Sequence, residues 1–240
     1  MNDQLDRFKD GLKKLNITLS DNQIQQFLTY YEMLVEKNKV MNLTAITEFD
    51  EVVEKHFLDS LALAQVVNLK EQMKVLDLGT GAGFPGIPLK IAFPELEITL
   101  MDSLNKRVLF LQDVIASLGL EKITAVHSRA EEGATNMLYR EQYSLCVSRA
   151  VANITTLPEY CLPFVKVGGQ FISYKSSDID EELDAAKKGI QLLGGKVTKV
   201  YKFQLLDTDL QRSFVMIDKV KKTPKAYPRK AGTPSKDPLH

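Results

Sequence analysis

VLDLGTGAGFPGIPLKI, residues 75–91, decides the fold. A β-branched, apolar run enters a stretch in which Gly79, Gly81 and Gly83 alternate with small residues, and an apolar helical pattern leaves it. Glycine lets a backbone turn sharply and approach a ligand closely, so the unit predicts a nucleotide-type site at the carboxyl end of a strand in an α/β sheet. Glycines alone do not choose the ligand, because dinucleotide folds use a similar pattern. The neighbouring charges discriminate. Asp77 precedes the first glycine, where it would repel a pyrophosphate but suits the ammonium and sulfonium of S-adenosylmethionine (SAM). Asp102 closes the next strand (ITLMD), where a carboxylate can accept both ribose hydroxyls, a role common to NAD and SAM sites. A third strand ends at His127-Ser128-Arg129-Ala130-Glu131, where a loop can reach an adenine edge; Glu131 equally suits capping the helix that follows.

Outward from this unit, KVLDL, EITLM, ITAVH, SLCVSR, QFISYK, KVTKVYKFQLL and SFVMIDK read as strands alternating with amphipathic stretches, which implies a mostly parallel α/β sheet. Residues Leu206 to Arg212 are too few for a crossover helix, so the last two runs form an antiparallel hairpin. The first seventy residues read as helices. Leu5, Phe8, Leu12 and Leu15 recur at helical spacing, Ser20 and Gln23 make a capping box before a second helix, and a third covers Glu51 to Val67. Asn38 to Thr47 (NKVMNLTAIT) lacks a period and reads as a loop. The segments are thus a helical extension over 1–70, the sheet domain over 71–220, and a basic, Pro-rich arm over 221–240.

With 44% hydrophobic and 26% charged residues the chain can bury one good-sized core. Its 31 basic and 31 acidic residues cancel, so any nucleic-acid surface must be local. No apolar run is long enough for a membrane span, the N-terminus is polar, and a cytoplasmic protein is expected. Cys146 and Cys161 sit among apolar neighbours and read as core thiols; no metal site is expected. No heptad demands a partner, so a monomer is expected.

Further marks are NLTAIT (42–47), KHFLDSL (55–61), MDSLNKRVLFL (101–111), SRAEE (128–132), VSRAV (147–151) and YPRKAGTPSKDPL (227–239). With the FPG of 84–86 they make nearly the whole chain resemble the RsmG (GidB) family, bacterial methyltransferases acting on N7 of a guanine in the decoding region of 16S ribosomal RNA. The resemblance implies a Rossmann-like class I fold with a seven-stranded sheet, and a SAM site touching Gly79, Phe84, Ala130, Glu131 and Arg149. It implies 16S rRNA or the small ribosomal subunit as partner.

The residues also constrain the chemistry. The stretch after the fourth strand reads Ser148-Arg149-Ala150-Val151 rather than the Asn/Asp-Pro-Pro-aromatic run suited to exocyclic amines, and Cys146 lies within a strand rather than beyond it. Guanine N7 offers a lone pair with no proton to remove, so no general base is expected and catalysis can be positioning. Arg149 is a candidate for orienting substrate or SAM, or a salt-bridge partner of Asp77 or Asp102. His56 reads as a packed histidine or a substrate contact, Asn42 as a turn residue or a base contact. From Lys219 onward the arm is basic, and Lys225, Arg229 and Lys230 are candidate RNA contacts, unless the arm is solvated or packed. Competing readings are an NAD-dependent oxidoreductase, which Asp77 and the hairpin disfavour, and a regulatory protein that binds SAM without catalysis.

Overall fold

The computed structural model, which describes residues 2–176, 179–206 and 208–239, begins with two helices, α1 (Asn2–Lys14) and α2 (Asp21–Met41). The capping box is present: Gln23 N–H donates to Ser20 Oγ at 3.3 Å and Ser20 N–H to Gln23 Oε1 at 2.9 Å. Helix α2 continues four residues into the stretch expected to be a loop. Asn38 is the reason, since its side chain bonds Thr44 N–H and C=O, both at 2.9 Å, folding the exit back onto the last turn. Asn42 then ends the helix with left-handed backbone (φ 49°), a conformation Asn tolerates.

The third helical stretch starts at Phe49, two residues before the expected boundary, and is composite. It runs as α3 (Phe49–Val52), a π-helical turn Val53–Leu58, α4 (Asp59–Leu61) and a 3₁₀ turn Ala62–Gln65. The sheet follows as β1 (Lys74–Leu78), α5 (Gly86–Ala92), β2 (Glu97–Asp102), α6 (Asn105–Ser117), β3 (Ile123–His127), α7 (Ala130–Gly133), β4 (Tyr143–Arg149), α8 (Leu157–Cys161), β5 (Val165–Ser176), α9 (Asp180–Leu192), β6 (Gly195–Gln204) and β7 (Gln211–Lys219). A short α10 (Thr233–Lys236) lies near the end.

The seven strands order β3-β2-β1-β4-β5-β7-β6, parallel through β5, with β7 inserted antiparallel between β5 and β6. The terminal hairpin is therefore present, and its second strand, not its first, joins the parallel part. Register aligns Leu78 with Met101, Asp102 with His127 and Arg149 with Tyr174, so their carboxyl ends share one edge.

Apolar cores lie on both faces, as parallel strands require. Against one face the N-terminal helices contribute Phe8, Phe27, Tyr30 and Phe57, whose rings meet one another and Phe84 at centroid distances from 4.9 to 6.2 Å. Against the other pack Leu76, Phe164, Phe171 and Ile190 with Cys146 and Cys161, both free and buried.

The arm is packed rather than solvated. Arg140 donates to the carbonyls of Thr223, Pro224 and Tyr227 at 3.0, 3.3 and 2.9 Å, and Thr223 Oγ1 to Leu193 O at 2.8 Å. Lys219, expected on a basic surface, ends β7 inside the protein. Its Nζ donates to Leu162 O (2.6 Å) and Val165 O (2.8 Å) and pairs with Glu141 at 3.3 Å, while burial pulls its pKa down to about 8. Because Phe57 joins four rings in the first core, Phe57→Ala should cost about 3–5 kcal/mol in urea-induced unfolding; a loss below about 1 kcal/mol would show the cluster to be loosely coupled.

Candidate active site

The site starts at the end of β1, where Asp77 is fully buried. Its Oδ2 accepts from Thr80 Oγ1 at 2.7 Å and from Gly86 N–H at 2.8 Å, so one oxygen holds both limbs of the turn. Gly86 is required for this contact, since a Cβ there would lie 2.8 Å from that oxygen and 2.2 Å from Leu100. Asp77 Oδ1 is buried without a partner, and burial raises the carboxyl to about 6 against the pull of Thr80, Gly86 and Arg149. Asp77 therefore lies under the turn and does not line the cavity above it.

Above the turn is a cavity of about 220 Å³ at the strand ends. Its wall includes Gly79, Asp102, Ala130, Glu131, Val151 and Tyr160. Gly79 has φ 70°, and a Cβ there would stand 2.4 Å from Val151, so glycine both makes the turn and leaves the space. Asp102 is on the wall as expected, with part of its acceptor capacity already used. Gly81 N–H and Leu104 N–H each donate to it at 2.9 Å, and Arg107 lies 3.4 Å away. Gly81 therefore contributes by tying the turn to β2. Glu131 is on the wall too, and its Oε1 accepts from Gly232 N–H of the arm at 2.9 Å. The arm's Gly232 and Ser235 complete the wall; sequence reasoning missed these two and Tyr160, because no local pattern announces a contact across about a hundred residues.

Arg149, at the end of β4, pairs with neither Asp77 nor Asp102. Its Nη1 donates to Asp59 Oδ2 at 2.8 Å and to Lys55 O at 3.1 Å, and its guanidinium lies 5.0 Å from the centre of the Phe84 ring. Asp59 Oδ1 accepts from Arg212 Nε at 3.0 Å. The π-helical turn explains the geometry, since it brings His56 and Asp59 together toward the sheet edge. His56 stacks on Phe84 with centroids 4.5 Å apart. Its Nε2 meets Thr44 Oγ1 at 2.9 Å, and its Nδ1 lies 3.3 Å from Arg149 Nη2 and 3.1 Å from Lys55 O. Burial, then the Arg149 charge, lowers its pKa to about 4, so the imidazole is neutral near pH 7.

These residues border a second cavity, of about 460 Å³, lined among the described residues by the cations Lys55, Arg149, Lys175 and Arg212 and the acid Asp59; Lys55 also pairs with Glu51, and Lys175 with Glu182 at 2.8 Å. The two cavities share the segment after β4: Val151 faces the first, Arg149, Ala150 and Ala152 the second. Ala150 in that segment holds φ 57°, which is strained for a residue with a Cβ. Phe84 is buried beside both His56 and Arg149, behind the second cavity rather than on the first. Asn42 is exposed, and its helix-ending conformation already accounts for its identity. Lys225 and Lys230 are exposed on the arm. Arg229 is not a free cation: its Nη2 donates to Glu159 Oε2 at 2.7 Å and its Nη1 to Asp237 Oδ2 at 3.1 Å. Among the described residues no cluster of metal-ligating side chains occurs and no helix is long and apolar enough to cross a membrane.

The raised pKa of Asp77 gives a signed pH dependence. Its neutral form favours the folded state fully below pH about 4, and that contribution is lost as pH rises through about 6. Between pH 4 and 7 the stability of Asp77→Asn relative to the parent should therefore rise by ~3 kcal/mol; parallel stability–pH curves would refute a buried, uncompensated carboxylate. Asp59→Ala leaves two half-buried arginines without their carboxylate and should destabilise by about 3 kcal/mol, measured as a shift in the denaturation midpoint.

The profile of the family described as GidB, rRNA small subunit methyltransferase G, matches residues 23–214. A ribosomal RNA small subunit methyltransferase G from Lachnoclostridium phytofermentans is 53% identical over 232 residues, 97% of this chain and 96% of that one. One from Desulforamulus reducens is 51% identical over 239 residues, 100% of both chains. Among solved structures, a SAM dependent methyltransferase from Aquifex aeolicus superposes with a TM-score of 0.51 at 18% identity, covering 70% of this chain and 92% of that one. Precorrin-6y C5,15-methyltransferase from Geobacter metallireducens does so with a TM-score of 0.51 at 13% identity, covering 67% and 87%. These two likenesses concern the fold.

Proposed function

The chain belongs to the GidB family of rRNA small subunit methyltransferases, and from that premise we propose that it methylates N7 of a guanine in 16S rRNA with SAM, as a cytoplasmic monomer. One observation carries the reading: residues 149–152 part a cavity built on a glycine turn, Asp102 at the end of β2 and Glu131 of α7 from a cleft lined by four cations that pair with Asp59, Glu51 and Glu182. A donor site and an anion-seeking site thus meet at one short segment.

The first cavity fits SAM by its donor set. The glycine turn leaves room where a Cβ at Gly79 would strike Val151, Asp102 keeps acceptor capacity beyond its two backbone bonds, and the Ala130–Glu131 corner supplies backbone and carboxylate. When bound, SAM supplies a sulfonium-activated methyl group. Asp77 would act from beneath, bracing the turn and contributing negative charge, without touching the ligand. The chain's own work is positioning, an effect of as much as roughly 7–11 kcal/mol. Arg149, clamped by Asp59 and Phe84, holds the partition between the cavities in one place. His56 stays neutral and orients, consistent with an acceptor nitrogen that has no proton to lose. A bidentate arginine contact to guanine O6 and N7 would cover the reacting atom, so recognition uses O6 alone or the Watson–Crick edge.

In this scheme the substrate side is built by residues 46–59 together with the ends of β4, β5 and the start of β7, the donor side by the ends of β1 and β2, the corner after β3 and the C-terminal arm. Asn42, Lys225 and Lys230 remain candidates for RNA contact. The test is transfer of label from SAM to small ribosomal subunits, and to their naked RNA, from cells lacking this protein. Labelled 7-methylguanosine is expected; SAM binding with no transfer to either substrate would favour a regulatory role instead.

A further inference from the structure

We propose that the C-terminal arm is part of the cofactor site: Gly232 and Ser235, with Tyr160 of α8, form the outer wall of its nucleoside half. The inference rests on the cofactor reading above. Three observations converge on it.

First, the three residues face the same 220 Å³ cavity as Gly79, Asp102 and Glu131. Second, Glu131 joins the arm to that cavity directly. It is 8% exposed, its Oε1 accepts from Gly232 N–H at 2.9 Å, and no hydrogen bond engages its Oε2 among the described residues. One carboxylate therefore locks the arm with one oxygen and presents the other to a ligand. Beside it on the same wall stand Tyr160 and Ser235, whose hydroxyl donates to Gly232 O at 3.1 Å, so the wall offers an aromatic ring edged by polar groups. A flat heterocycle with donors and acceptors on its rim matches such a wall, as a purine nucleoside does.

Third, the arm is held there by bonds that do not involve the cationic cleft. Glu159 is 1% exposed and accepts from Arg229 N–H at 2.7 Å, from Nε at 3.0 Å and from Nη2 at 2.7 Å. Arg229 in turn donates through Nη2 to Asp237 O at 2.7 Å, and Thr156 Oγ1 donates to Pro234 O at 3.4 Å. The guanidinium expected to meet RNA is what staples the arm over the nucleoside pocket.

The test uses S-adenosylhomocysteine, which carries the same nucleoside without a transferable methyl, in calorimetric titrations of the full chain, of a chain ending at Lys230, and of Ser235→Trp. Ser235 is exposed, so the bulk falls on the cavity rim rather than into a core. Both variants should bind at least about tenfold more weakly, while the melting temperature of Ser235→Trp without ligand and the affinity of the full-length variant for small-subunit RNA stay unchanged. Unaltered S-adenosylhomocysteine affinity in Ser235→Trp overturns the proposal, and does so even where the shortened chain fails to fold. Weakened RNA binding with unaltered S-adenosylhomocysteine affinity makes the arm an RNA element and overturns it equally. Failure of the full chain itself to bind S-adenosylhomocysteine overturns the cofactor reading, and the proposal falls with it.

Discussion

Oδ2 of Asp77 closes a loop of only nine residues, by accepting from Thr80 and Gly86 together. Hydrogen bonds to a charged group are worth about 1.5–3 kcal/mol each, and here they offset the cost of hiding a carboxylate whose second oxygen has no partner. Both cavities inherit their shape from this brace. Gly79 and Thr80 N–H donate to Met101 O at 2.8 and 3.2 Å, hooking the turn to β2. Ala82 O accepts from the buried Tyr30 hydroxyl at 2.6 Å, hooking it to α2. Phe84 then presents its ring to His56 and Arg149. A turn tied to the sheet on one side and to the helical extension on the other cannot shift without moving the walls of both cavities.

Arg149 carries that coupling to the end of β4. A lysine could neutralise Asp59, but only a planar, multi-donor group can bond Asp59 and the Lys55 carbonyl while lying near the Phe84 ring. The Asp59 carboxylate is divided between Arg149 and Arg212, so this buried cluster retains an excess positive charge facing the second cavity. A buried ion cluster of this kind is weak evidence for stability, because desolvation opposes its attraction. Its value here is geometric: three sequence-distant elements, the π-helical turn, β4 and β7, are fixed at one point.

Sheet class, strand order of appearance, capping box and glycine turn were legible in the sequence because each is a local pattern with a local cause: β-branched runs, a Ser-x-x-Gln box, glycines after a strand. That Asp102, Ala130 and Glu131 gather at one cavity was legible because each stands at or just beyond the end of a strand in a parallel sheet. That Asp77 is buried beneath the turn was not legible, since a sequence shows that a carboxylate precedes a turn but not which face of the strand carries it. The partner of Arg149 was missed because Asp59 sits in a helix whose pitch widens to a π-turn, and no period announces that. The helix α2 overran its expected end because Asn38 and Asn42, which look like loop residues, act as its terminal hydrogen-bonding group and its left-handed cap.

Charge illustrates the limit best. A linear scan finds cations concentrated after residue 218, yet Lys219 is enclosed among carbonyls and Arg229 is bonded to Glu159, so that run supplies less surface charge than its composition implies. Lys55, Arg149, Lys175 and Arg212 line one cavity from four separate segments, each beside a carboxylate of Glu51, Asp59 or Glu182, and nothing in a chain of zero net charge marks them as a set. Folding assembles them at the carboxyl edge of β4, β5 and the start of β7 beside the donor cavity. On the reading proposed above, the one positive charge left over by Arg149, Arg212 and Asp59 would draw a polyanion toward this edge. Charge of this kind attracts a phosphate backbone without reading its sequence, so discrimination among RNA sites rests on base-edge and shape contacts rather than on these cations.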